Sequence, residues 1–150
     1  MTRINATVPP KSLCDQHLNA EYREIVRTVS LARNKFIKLG SIEKLRSEIP
    51  QRFTLGSGHV SFFYDKLKYI RDRFDALRQE MIDRGMVPTM TMENESFNGV
   101  LQLYNDWPGT LEANQLIIDR IYERAKGMKR ITFGGTPVTS ETYYNILINN

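Results

Sequence analysis

Apolar positions recur with a helical period over three long stretches of this chain. In residues 16–39, Leu18, Tyr22, Ile25, Val29, Ala32 and Phe36 follow one another at steps of three and four, and Val26 widens the stripe. That spacing predicts a long amphipathic helix with Asp15 as N-cap and Gly40 as stop. Residues 41–48 predict a short second helix ended by Pro50, and 51–58 read as loop, closing on Gly56-Ser57-Gly58. Residues 59–84 carry the clearest pattern: Val60, Phe63, Leu67, Ile70, Phe74, Leu77 and Met81, with Gly85 just past the end. Lys68–Asp72, Arg71–Asp75 and Glu80–Arg84 set opposite charges four apart on its outer face.

Residues 86–109 show no period, and Trp107-Pro108-Gly109 signals a turn. A third long helix is predicted from Thr110, with Leu111, Ile117, Ile118, Ile121 and Ala125 inside and Gly127 at its end. In the tail from Lys129, Gly134-Gly135 interrupts the chain, and Ser140 is the expected cap of a short final turn carrying Tyr143, Tyr144 and Leu147. The expected fold class is all-α. It is a single compact domain spanning residues 1–150, built of three main helices with irregular loops and a short C-terminal tail.

Composition narrows the class. Apolar residues at 41% and charged residues at 25% are ordinary for a folded soluble chain of 150 residues. No run reaches the roughly 18 apolar residues of a membrane helix, and no positive-then-apolar leader opens the chain. A lone Cys14 excludes an internal disulfide and a cysteine-built zinc site. The expectation is a cytoplasmic monomer. The net charge of +4 is uneven: ten Lys/Arg against five acids in residues 1–52 give +5, six against five in 53–84 give +1, and five against seven beyond give −2. Such an N-terminal patch suits an anionic partner, and equally a solvated helix face.

That patch holds the candidate chemistry. Arg23 and Arg27 are neighbours four apart, while His17 and Glu24, seven apart, share nearly the same side, with small Ala20 between them. Guanidinium groups beside a carboxylate favour its charged form and can also hold phosphates. Met1-Thr2 puts a small residue second, so loss of the initiator Met leaves Thr2 with a free α-amine. An α-amine has a pKa of about 7.7–8.0, so at neutral pH part of it is an uncharged nucleophile. Arg3 and Arg23 nearby would lower that value further.

Other candidates carry less. His17 and His59 lack the cluster a metal site needs, so no metal and no cofactor are expected. Gly56-Ser57-Gly58 lacks the Lys-Ser/Thr ending of a nucleotide loop and suits a DNA phosphate or plain helix entry. Phe62, Phe63 and Tyr64 read as core, Trp107 as a packing anchor and Cys14 as structural.

Three blocks, Met1-Thr2-Arg3-Ile4-Asn5, then Asp15-Gln16-His17-Leu18-Asn19-Ala20-Glu21-Tyr22-Arg23-Glu24, then Gly58-His59-Val60-Ser61-Phe62-Phe63-Tyr64-Asp65-Lys66-Leu67, stand in this order. Together they resemble the pyrimidine-dimer DNA glycosylases of the T-even bacteriophage type (endonuclease V). The resemblance covers about the first 85 residues. It implies a compact α-helical enzyme that binds duplex DNA at UV-induced cyclobutane pyrimidine dimers or abasic sites, kinks it, and flips out a base opposite the lesion. It implies that the Thr2 amine attacks the sugar carbon through an imine, that Glu24 is the essential carboxylate, and that Arg3, His17, Arg23 and Arg27 contact DNA. No metal is required. In the family's third helix, positions 117 and 121 are expected to be basic, and here they are isoleucines. Lys126, Lys129, Arg130, Tyr143 and Tyr144 are the available substitutes. Alternatives are the same chemistry on another damaged base, or a non-catalytic basic DNA-binding module.

Overall fold

The computed structural model describes residues 4–150. Among them the chain forms α1 (Asp15–Ile25), α2 (Arg27–Leu39), α3 (Ile42–Glu48), α4 (Leu67–Asp83), α5 (Leu111–Ala125) and α6 (Ser140–Ile148). A small antiparallel hairpin, β1 (Thr132–Phe133) and β2 (Thr136–Pro137), pairs Thr132 with Pro137 and Phe133 with Thr136. The domain is mostly helical, with six helices where three main ones are expected. No helix of the described residues is long and apolar enough to cross a membrane.

The differences have local causes. The predicted 16–39 helix divides at Val26 into α1 and α2. Val26 keeps helical angles (φ −61°, ψ −25°), so the chain resumes at once. Gly40 ends α2 in the left-handed conformation, φ 82°, as its position predicts. Helix α4 starts at Leu67, eight residues later than the apolar pattern suggests. Residues 56–63 form two short 3-10 turns instead, whose period of three the Val60-to-Phe63 step satisfies equally. A Cβ at Gly58 would sit 2.8 Å from Pro50 Cγ, so glycine is required by packing there.

The third long helix is observed from Leu111 with Thr110 as N-cap, its hydroxyl accepting from Ala113 N–H at 3.0 Å. Its buried stripe runs Ala113, Ile117, Ile121, Ala125. Leu111, expected inside, is 90% exposed, because two residues before Ala113 it faces the opposite side. The tail is more ordered than expected: Gly134-Gly135 turns the hairpin, and the final helix runs nine residues with Thr139, not Ser140, as cap.

Asp15 is not the N-cap of α1. Cys14 holds that place, and the Asp15 carboxylate is used across the fold. It accepts from Thr132 Oγ1 at 2.6 Å, from Gly134 N–H and Gly135 N–H at 2.9 Å each, and from Arg84 at 2.9 Å. Burial pushes its pKa up, but the hydrogen bonds from Thr132, Gly135, Gly134 and Arg84 outweigh burial and hold it at about 2. This one side chain staples the C-terminal hairpin to the start of α1.

The N-terminal segment is fixed by a buried ion pair. Arg73 of α4 donates to both Glu21 oxygens, at 2.6 and 3.0 Å, and to the carbonyls of Ala6 (2.6 Å) and Val8 (2.8 Å). Burial disfavours the Arg73 charge, and Glu21 more than offsets it, raising its pKa. Tyr69 also donates to Ala6 O at 2.6 Å. Ala6 sits at φ 35°, the left-handed region, which these donors hold in place. Ile4 N–H donates to His59 Nε2 at 2.9 Å, so the neutral His59 ring carries its proton on Nδ1, 3.0 Å from Thr54 O. Both ring nitrogens serve the fold. Nearby, Trp107 stacks on Phe53 (5.9 Å, 15°) and meets Phe62, Phe63 and Tyr69 edge-on, which makes it the expected anchor.

Candidate active site

Helix α1 presents His17, Ala20, Glu21 and Glu24 along one face, as steps of three and four dictate. Arg120, Ile121 and Arg124 of α5 line the same cleft, and Asn5 completes the wall. Its volume is about 50 Å³. That accommodates one or two water-sized groups, enough for a reacting centre but not for a whole nucleotide.

Charge inside the cleft is unbalanced. Glu21 is 2% exposed and committed to Arg73 and to Asn5 Nδ2, 2.9 Å away. That leaves Glu24 facing two arginines. Burial lowers the Arg124 pKa, Arg120 lowers it further, and Glu24 acts in the opposite sense. The Arg124 Nε is buried without a hydrogen-bond partner among the described residues. A partly buried guanidinium beside a second one favours an incoming anion, such as a phosphate oxygen.

The expected residues divide into three groups. His17, Ala20 and Glu24 come together in the cleft. Arg23 and Arg27 are exposed on the neighbouring surface, where a phosphate backbone can reach them. Thr2 and Arg3 lie outside the described residues. Sequence reasoning missed Arg120 and Arg124. It looked for basic residues at 117 and 121, but those isoleucines are buried, and α5 shows the arginine pair to the cleft three residues further along. The available signal was the i, i+4 pair beside the apolar stripe. Cys14 is buried, and burial raises its thiol pKa, in keeping with a structural role. Gly56–Gly58 is a three-residue turn, too short to offer a helix N-terminus to a phosphate.

The family model described as pyrimidine dimer DNA glycosylase matches residues 1–94, well over half of the chain. The chain belongs to that family. It is therefore a DNA-repair glycosylase with abasic-site lyase activity, acting at UV-induced pyrimidine dimers. Damaged DNA is its substrate. The matched segment contains Thr2, Arg3, His17, Arg23, Glu24 and Arg27, whereas Arg120 and Arg124 lie beyond it.

Proposed function

We propose that the α-amine of Thr2, freed by loss of Met1, is the nucleophile of this glycosylase/lyase and that Glu24 is its catalytic carboxylate. The amine lone pair attacks C1′ of the damaged nucleotide, and the C1′–N bond breaks with its electrons leaving on the base. Opening of the C1′–O4′ bond gives the imine, with a proton passing to O4′. Removal of a C2′ proton then breaks the C3′–O bond and expels the 3′ phosphate. Glu24 stabilises the cationic sugar–imine species and relays these protons. Arg120 and Arg124 hold the phosphate beside the reacting sugar, and Arg3, His17, Arg23 and Arg27 bind the flanking backbone of duplex DNA. The enzyme acts as a cytoplasmic monomer.

One observation carries this reading: Glu24 shares a small cleft with two arginines and with Asn5, only three residues after Thr2. In sequence, Thr2 is thus three residues from a side chain that lines the cleft. Asn5 is itself tethered through Glu21. The test separates binding from chemistry. Glu24→Gln is expected to lower strand cleavage of dimer-containing duplex by about 10²–10⁴-fold. Its affinity for the same duplex should stay within a few-fold of the parent protein. Parallel loss of affinity and cleavage would make Glu24 a structural residue.

A further inference from the structure

The C-terminal helix contacts His17, one of the residues that line the cleft. Tyr143 of α6 is fully buried, and its hydroxyl lies 2.8 Å from His17 Nδ1 and 3.1 Å from the backbone nitrogen of Cys14. The Cys14 N–H can only donate, so the phenol oxygen accepts there and its own hydrogen is available for Nδ1. Burial raises the phenol pKa, which keeps that hydrogen in place. The ring is held edge-on by Phe133 (5.5 Å, 78°). Phe133 belongs to the hairpin that Asp15 staples to α1, and Gln16 and Thr132 add a reciprocal pair of hydrogen bonds at 3.1 Å. All these partners of α1 lie beyond residue 94, outside the family match.

We propose that Tyr143 is a positioning residue for His17: its hydroxyl donates to Nδ1 and fixes the imidazole as the Nε2–H tautomer, the form in which His17 donates to a DNA phosphate at the cleft. A ring with a free choice of tautomer would present a donor only part of the time. The phosphate contact rests on the reading of the site given above. The tautomer itself does not, and the two can fail separately.

Long-range ¹H–¹⁵N correlation spectra of the full chain, taken where the imidazoles are neutral, read the tautomer directly. The expected pattern for His17 is a protonated Nε2 and an acceptor Nδ1; a protonated Nδ1 overturns the proposal. Tyr143→Phe should lower the nicking rate on dimer-containing duplex about three- to tenfold, the loss of one hydrogen bond. The same change in a His17→Ala background should leave the rate as it is. An equal loss in both backgrounds would make Tyr143 merely structural and overturn the assignment, as would an unchanged rate in the single variant. Should Tyr143→Phe not fold, fluorotyrosine incorporation makes the phenol a stronger donor in the native fold. The Nδ1 resonance of His17 should then move, and a fixed resonance contradicts the proposal. A protonated Nδ1 together with a cleavage-deficient Glu24→Gln enzyme would overturn this assignment alone. An Nε2–H His17 with a fully active Glu24→Gln enzyme would overturn the reading of the site alone.

Discussion

Glu21 and Glu24 stand three residues apart on α1, yet their surroundings differ in kind. Glu21 is buried, bonded twice to Arg73 and once to Asn5, with every charge matched. Glu24 sits at a cleft where Arg120 and Arg124 outnumber it, and where one guanidinium nitrogen lacks a partner among the described residues. The same residue type on the same helix is structural where its field is neutralised, and suited to chemistry where positive charge is left over for a substrate. Arg73 makes the distinction: it neutralises Glu21, and among the described residues of the cleft Glu24 is left as the acid that faces Arg120 and Arg124.

The largest way to break this contrast is on the Glu21 side. Glu21→Gln leaves the Arg73 charge buried without its anion and is expected to cost about 3–5 kcal/mol in urea unfolding. Replacing the pair together by Leu and Met should recover much of that loss. If Glu21→Gln were as stable as the parent, the pair would not be what holds residues 4–8 against α1 and α4.

Next in size is the Asp15 staple. Asp15→Ala strands four donors and is expected to cost about 2–3 kcal/mol, lowering Tm by several degrees. The folded pKa of about 2 lies below the ordinary carboxylate value of about 3.9. The stabilisation is therefore complete above about pH 4 and is lost as the pH falls toward 2. Thermal melts should show that acid limb in the parent and a flatter one in Asp15→Ala. Identical pH profiles would remove Asp15 from this role.

The smallest expected effect is on the Glu24 side. Arg124→Ala should weaken binding to dimer-containing duplex and reduce the slope of log affinity against log salt by about one. An unchanged slope would mean that Arg124 meets no phosphate.

Legibility in the sequence followed the length of each pattern. The α4 stripe from Leu67 to Met81 and the stop at Gly40 were readable because periodic burial and a left-handed glycine leave local marks. The face bearing His17, Ala20 and Glu24 was readable for the same reason. Residues 56–66 were not, because an aromatic cluster assembled from Phe53, Phe62, Phe63 and distant Trp107 chooses 3-10 turns over helix. The hairpin has two-residue strands with no period to detect, and its anchor, Asp15, is 117 residues away from Thr132. Arg120 and Arg124 were visible as a pair, but only the packing of Ile117 and Ile121 shows which side of α5 meets α1.

The central claim is that the Thr2 amine forms the covalent link to DNA. Borohydride reduction during reaction with dimer-containing duplex, followed by peptide mapping of the protein–DNA adduct by mass spectrometry, tests it most directly. The expected result is one adduct, carried on the N-terminal peptide at the α-amine of Thr2 with Met1 absent. An adduct on a lysine, or robust nicking with no adduct trapped, would contradict it.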